Sequence, residues 1–179
     1  MSKTAVVDYP ARIALLQKRM KALGLDGYIV PRYDAHQGEY VADHDARLAW
    51  LTGFTGSAGM ALITADLAAM FVDGRYTVQV RNQCPHPVFE HHHFFDDPID
   101  LWLAKHMQHG QSIGFDAMLL PPNWHRRFAK AAEAAGAQLI AIEHNPVDAI
   151  WTDQPPPPLG RITAFALQFA GRSFTEKRT

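Results

Sequence analysis

Between residues 12 and 142 the apolar residues keep changing period, and that alternation restricts the chain to a sheet packed between helices. Ile13, Leu16, Met20 and Leu23 recur at helical spacing between Pro10 and Gly24, which predicts a helix over 12–23. Gly27-Tyr28-Ile29-Val30 reads as a short buried strand ended by Pro31. Residues 36–50 read as a loop followed by a helix. The apolar runs 60–64 and 67–73, parted by Ala65-Asp66, have the pattern of a hairpin. Helices are predicted over 76–83, 97–109 (with Asp97 as its cap) and 121–135, and strands over 112–116 and 138–142. Elements in this order make an α/β fold, a mixed β-sheet flanked by helices on both faces.

Composition removes several function classes. Hydrophobic residues make up 47% of the 179 residues and charged residues 20%, a globular balance. A net charge of −1 lacks the basic field of a nucleic-acid binder. No apolar run approaches the roughly 20 residues that span a bilayer, and residues 1–10 hold no apolar signal core. A single cysteine, Cys84, excludes an internal disulfide and a multi-cysteine zinc site. The expectation is a soluble, cytoplasmic domain with no nucleic-acid or membrane partner. One domain is expected over 1–151. Pro155 to Pro158 then favour an extended spacer, so 152–172 reads as a proline-rich linker with an extended segment. Ser173 and Glu176 form a capping-box pattern just before the sequence stops. Residues 173–179 therefore read as the cut start of a next domain.

Several groups could carry chemistry. Gly53, Gly56 and Gly59 recur every third residue, but they lead into a strand and match no phosphate-loop pattern, so they read as a tight turn into the hairpin. Ser57 lacks the G-x-S-x-G setting of a hydrolase nucleophile. His91-His92-His93 would alternate faces on a strand, which keeps them off one ion, and they read as solvated surface residues. His106 and His109, three apart on a predicted helix, could share a face. Asp34, His36, Glu39, Asp43 and Asp45 crowd one segment with Arg47, either as a polar network or as the rim of a site. Arg75 follows Asp73-Gly74 at a strand end. Its guanidinium suits a carboxylate or carbonyl, whether from a peptide or from Asp73 itself. The four tryptophans, Trp50, Trp102, Trp124 and Trp151, read as core or contact residues.

Taken in order, Asp34-Ala35-His36-Gln37-Gly38-Glu39-Tyr40, then the run from Arg47 to Gly59, Phe71-Val72-Asp73-Gly74-Arg75-Tyr76, and Asn145-Pro146-Val147-Asp148-Ala149-Ile150-Trp151 closely resemble the N-terminal, creatinase-type domain of the Xaa-Pro aminopeptidases, in their three-domain cytosolic branch. The resemblance covers nearly the whole chain. It implies a ribonuclease H-like domain that is itself non-catalytic, holds no cofactor and no metal ligand, and shapes the substrate cleft. The arginine of the family's D-G-R-Y motif maps onto Arg75 and implies contact with bound peptide, with Asp34, His36, Gly56, Ser57 and Asp73 supporting that edge of the cleft. It also implies two divalent ions, commonly manganese, in a C-terminal domain beyond this sequence. Its implied partners are a peptide with proline second, the chain's own C-terminal domains and further copies of the enzyme. Two other readings are a non-catalytic scaffold module and the N-terminal domain of a creatinase or prolidase. The His-rich stretch departs from the family pattern.

Overall fold

The computed structural model describes residues 7–178, so the first six residues, and with them most of the stretch lacking a signal core, lie outside the described residues, as does Thr179. The first helix, α1 (Tyr9–Ala22), has Asp8 as its cap, accepting from the Ala11 N–H at 3.0 Å, and Pro10 in its first turn. Its buried stripe is Ile13, Leu16 and Met20, as the spacing predicts, whereas Leu23 falls at the helix's C-terminal cap and is exposed. Strand β1 (Gly27–Pro31) follows, then a single 3-10 turn over Asp43–Asp45 and a short helix α2 (Arg47–Thr52). The hairpin is β2 (Gly59–Thr64) and β3 (Ala68–Val72), closed by the Thr64 N–H donating to the Leu67 carbonyl. Next come α3 (Thr77–Gln83), β4 (Glu90–His93), α4 (Ile99–His106), β5 (Ser112–Phe115), α5 (Pro122–Ala134) and β6 (Gln138–Ala141). Two short helices, α6 (Leu167–Ala170) and α7 (Phe174–Arg178), end the described chain.

The six strands lie in the order β4-β3-β2-β1-β5-β6. β2 is antiparallel to both its neighbours, and the other pairings are parallel. Period-two alternation sends Tyr28 and Val30 to one face, where α1, α2 and α3 supply Leu16, Leu48, Leu51 and Val80. Ile29, Leu62 and Phe71 face the other side, against Trp102 and Leu103 of α4 and Phe128 of α5. Each of these fully buried side chains is worth about 1.5–3 kcal/mol. The mixed sheet with helices on both faces is the α/β class expected.

Four local readings need correction. The edge strand β4 has no apolar alternation to announce it, and backbone pairing with β3 (Met70 opposite His91, Val72 opposite His93) makes it a strand. Asp97 is not the cap of α4. Pro98 holds that position without a side-chain bond, and the Asp97 carboxylate meets the His92 ring instead. Because α4 ends at His106, His109 lies past the helix and shares no helical face with it. In the tail, residues 167–170 form a helical turn rather than continuing extended. The Ser173–Glu176 capping box is formed, the Ser173 N–H and hydroxyl reaching Glu176 Oε2 at 2.7 and 2.6 Å.

Candidate functional site

Five of the six strands run the same way, so their carboxyl ends and the start of β2 meet at one end of the sheet. In open α/β sheets that end is where ligands bind. Asp34 follows β1, Gly56 and Ser57 precede β2, and Asp73 and Arg75 follow β3. The segments of the sequence-predicted site residues thus converge there from three separate parts of the chain.

The Asp73–Tyr76 turn is built by two local bonds. The Tyr76 N–H donates to the Asp73 carbonyl at 3.0 Å, and the Arg75 N–H donates to Asp73 Oδ1 at 2.9 Å. Beyond the turn, the Arg75 guanidinium folds back as a fork: Nε reaches Oδ2 at 3.1 Å, and one terminal nitrogen reaches it at 2.7 Å. Arg75 holds the Asp73 carboxyl below its usual range, chiefly through this side-chain bond, and the bond in turn raises Arg75. The guanidinium also lies over the Tyr76 ring, 5.1 Å from its centre. Arg75 is therefore both ion-paired and two-thirds exposed, with 67% of its side chain open against 18% for Asp73. A carboxylate that fixes an arginine while leaving it in solvent orients it for an incoming acceptor.

Gly56 and Ser57 support the same turn from below. The Ser57 and Tyr76 hydroxyls are 2.6 Å apart, a bond that holds the Tyr76 phenol below its usual range. Phe54, fully buried, meets the Tyr76 ring edge-on at 5.8 Å. A Cβ on Gly56 would lie 2.3 Å from Phe54 Cζ and 2.8 Å from Tyr76 Cδ1. The glycine is there because two rings close over it. Gly53 differs: it ends α2 in the left-handed region, with φ +81°. The two glycines serve packing and a helix end, and the Ser57 hydroxyl is engaged by the Tyr76 hydroxyl.

Asp34 is buried and organises the loop after β1. Its Oδ1 accepts the N–H groups of His36 and Gly38, both at 2.9 Å. The Gly38 bond holds the carboxyl below its usual range; burial opposes it, and the His36 N–H adds to it. The His36 ring is exposed. A depressed value in the folded state gives stability that is full above the unfolded value, near 3.8, and is lost as pH falls through the lower folded value. Asp34→Asn is therefore expected to cost about 1 kcal/mol at neutral pH. The gap to wild type should close on acidification, read by urea unfolding at the two pH values. A gap of constant size would show that the carboxylate charge plays no part.

The crowded acidic segment resolves into a network that includes partners sequence reasoning did not pair. Arg47, buried, donates to Asp148 through Nε (2.7 Å) and a terminal nitrogen (2.8 Å), and to Asp45 at 2.9 Å. Trp50 stacks on Trp151 at 5.1 Å. These pairs join two matched motifs that lie about a hundred residues apart in sequence. The co-occurrence of a lone arginine with Asp148-Ala149-Ile150-Trp151 was the available signal. The histidines are not solvated as expected. The His92 ring stacks on Phe71 at 4.8 Å on one face, while His91 bonds the Cys84 carbonyl at 2.6 Å. His93 pairs with Asp96 at 3.0 Å, and its Nε2 lies 3.5 Å from where a Gly74 Cβ would stand, beside the Arg75 turn. Among the described residues, no three His, Cys, Asp or Glu come together so as to hold a metal ion. The donor set does not fit a two-ion centre, and no hydrolytic step is assigned to these residues. No described helix is long and apolar enough to cross a membrane.

Comparison with known proteins gives a consistent result. The model of the creatinase/prolidase N-terminal domain matches residues 12–150. Human Xaa-Pro aminopeptidase 2 is 36% identical over 173 residues, covering 96% of this chain and 26% of its own length. The crystal structure of a Caenorhabditis elegans X-prolyl aminopeptidase, described as a cytosolic enzyme with a di-nuclear active site, superposes with a TM-score of 0.85 at 28% identity, over 96% of this chain and 30% of that one. The N-terminal domain of the cytoplasmic peptidase PepQ from Mycobacterium tuberculosis, at 23% identity and TM-score 0.60, shares the fold. The chain spans under a third of the length of the human and nematode aminopeptidases.

Proposed function

This chain belongs to the creatinase/prolidase N-terminal domain family, and we propose that it acts as the non-catalytic N-terminal domain of a metal-dependent Xaa-Pro aminopeptidase, forming one wall of the substrate cleft and offering Arg75 to the peptide. The observation that carries this proposal is an arginine fixed by Asp73 yet mostly exposed, at the sheet end where the other motif segments converge. Exposed apolar side chains at the same end support it. Tyr40, Val78, Phe95 and Met118 sit on the loops after β1, β4 and β5 and in the first turn of α3. Exposed apolar side chains on several loops of one end suit contact with another body. Leu159, Ile162 and Phe165, exposed along the segment after the prolines, suit cover by a following domain. In this proposal residues 152–172 are the bridge and 173–179 open that domain. Two divalent ions, manganese in the family expectation, belong to a later catalytic domain. The substrate is a peptide with proline second, the working enzyme is an oligomer, and its place is the cytoplasm, as for the nematode protein.

The test uses the complete enzyme. Arg75→Ala is expected to lower kcat/KM for Xaa-Pro peptides about tenfold to a hundredfold, the scale of one lost charge-assisted contact. Metal content should stay at wild-type level, and the 179-residue chain alone should release no product. Unchanged kcat/KM would return Arg75 to its ion pair and favour a scaffold role for the domain.

A further inference from the structure

Beside the Arg75 turn lies a groove of about 370 Å³, walled by Tyr33, Phe94, Phe95 and Trp124, with Asp73 and Arg127 also in its lining. That volume falls in the range of small-ligand sites. Phe94 leaves β4 directly, its N–H donating to the Val72 carbonyl at 2.9 Å, and its ring meets Trp124 of α5 at 5.8 Å. Trp124 is braced from behind by Phe128 at 5.3 Å. Phe95, by contrast, is 79% exposed. A large aromatic ring left in water at the mouth of an aromatic groove marks a surface that a ligand can cover.

The Arg127 charge selects the occupant. Arg127 lies over the Trp124 ring at 4.8 Å and donates to Asp100 at 2.6 Å. Its side chain is 46% exposed and that of Asp100 23%, the same order as at Arg75 and Asp73. In both pairs the carboxylate is the less exposed partner, but Arg127 is the guanidinium that lines the groove, so the groove presents apolar walls beside one half-exposed cation. Such a site fits an uncharged ring with an anion one residue away. Aromatic grooves also take the extended backbone of proline-containing peptides.

We propose that this groove is a second peptide subsite, which takes a proline or aromatic side chain downstream of the Arg75 contact and meets the peptide's terminal carboxylate with Arg127. The proposal rests on the peptide-binding role given to Arg75 above. Trp124 and Phe95 supply the stacking surface, and Arg127 reads the chain terminus.

The test titrates the isotopically labelled 179-residue chain with Gly-Pro-Phe, its C-terminal amide and Gly-Pro-Gly, following the Trp124 indole N–H by NMR. Gly-Pro-Phe is expected to shift that resonance, with the amide and Gly-Pro-Gly each binding about tenfold more weakly. Phe95→Ala, a change of an exposed side chain, and Arg127→Gln should each weaken Gly-Pro-Phe by a similar factor, with the dispersion of the spectrum confirming that the variants fold. If Gly-Pro-Phe moves only the amides of Ser57, Arg75 and Tyr76, with equal affinity in both variants, the subsite is overturned while the Arg75 role stands. Equal binding of the acid and the amide overturns it as well. Silence at every resonance up to about 10 mM overturns the subsite, while the Arg75 contact is judged separately by kcat/KM in the complete enzyme.

Discussion

Arg47→Ala is expected to lower Tm by roughly 5–10 °C, a loss of about 2–3 kcal/mol. The helix that Arg47 opens, α2, has only six residues, too few to hold itself together in water. Its position depends on what its side chains hold. The Arg47 fork grips Asp148 with two bonds and Asp45 with a third. Asp148 Oδ1 also accepts from Gln154 at 3.1 Å, and Gln154 donates to the His44 carbonyl at 2.9 Å. The His44 ring meets the Pro155 carbonyl at 2.6 Å. Through these bonds one guanidinium ties the start of α2 to residues 145–155, whose Val147 is fully buried. Burial alone would weaken the arginine's charge, and the bonds to Asp148 and Asp45 reverse that, raising its pKa. Alanine would leave both carboxylates in a partly buried site without their cation, which costs more than the pair contributes. The carboxylates keep some access to water, which holds the expected loss below the upper end for fully buried pairs. Lysine keeps the charge but not the fork, so Arg47→Lys should recover less than half of the loss. Thermal melts followed by circular dichroism check both. A Tm within about 1 °C of wild type would mean that Trp50 stacked on Trp151 holds the segment unaided.

The same network shows what could be read from sequence and what could not. Helices and strands with strong periodicity, such as α1 and the β2–β3 hairpin, depend on local pattern, and they formed as predicted. β4 depends on a neighbour: its Glu-His-His-His run becomes a strand because β3 offers an unpaired edge, and no local signal encodes that edge. The candidate site divides in the same way. Asp73 with Arg75 is short-range turn chemistry and was legible from spacing, whereas Asp34 with Gly38, equally local, stayed hidden within a crowded polar segment. Arg47 with Asp148, and Ser57 with Tyr76, join distant segments, and only the folded chain brings them together. The histidines went astray because a polar side chain can be packed against Phe71 as easily as it can be hydrated, depending on which face of the edge strand it takes.

Gly56→Val is expected to cost about 3 kcal/mol or more and to disturb Arg75 without touching it. The first carbon of the new side chain would fall 2.3 Å from Phe54 Cζ and 2.8 Å from Tyr76 Cδ1, well inside van der Waals contact. Neither ring can simply rotate away. Phe54 is packed among the buried residues between the sheet and α2, with Leu48 and Leu51 nearby in the same cluster. Tyr76 is held by its hydroxyl bond to Ser57 and by its edge-on contact with Phe54. The least costly escape is for Tyr76 to swing outward, which breaks the Ser57 bond and removes the ring beneath the Arg75 guanidinium. Stability and the peptide-facing turn should therefore fail together. The control is Gly160→Ala, where a Cβ would meet nothing within 4 Å and no change is expected. Phe54→Leu removes the ring atom that makes the closest clash, so the double variant Phe54→Leu with Gly56→Val should lose less than the sum of the two single losses. Additive losses in urea unfolding would show that the clash is relieved elsewhere, and that Gly56 does not couple the core to Arg75.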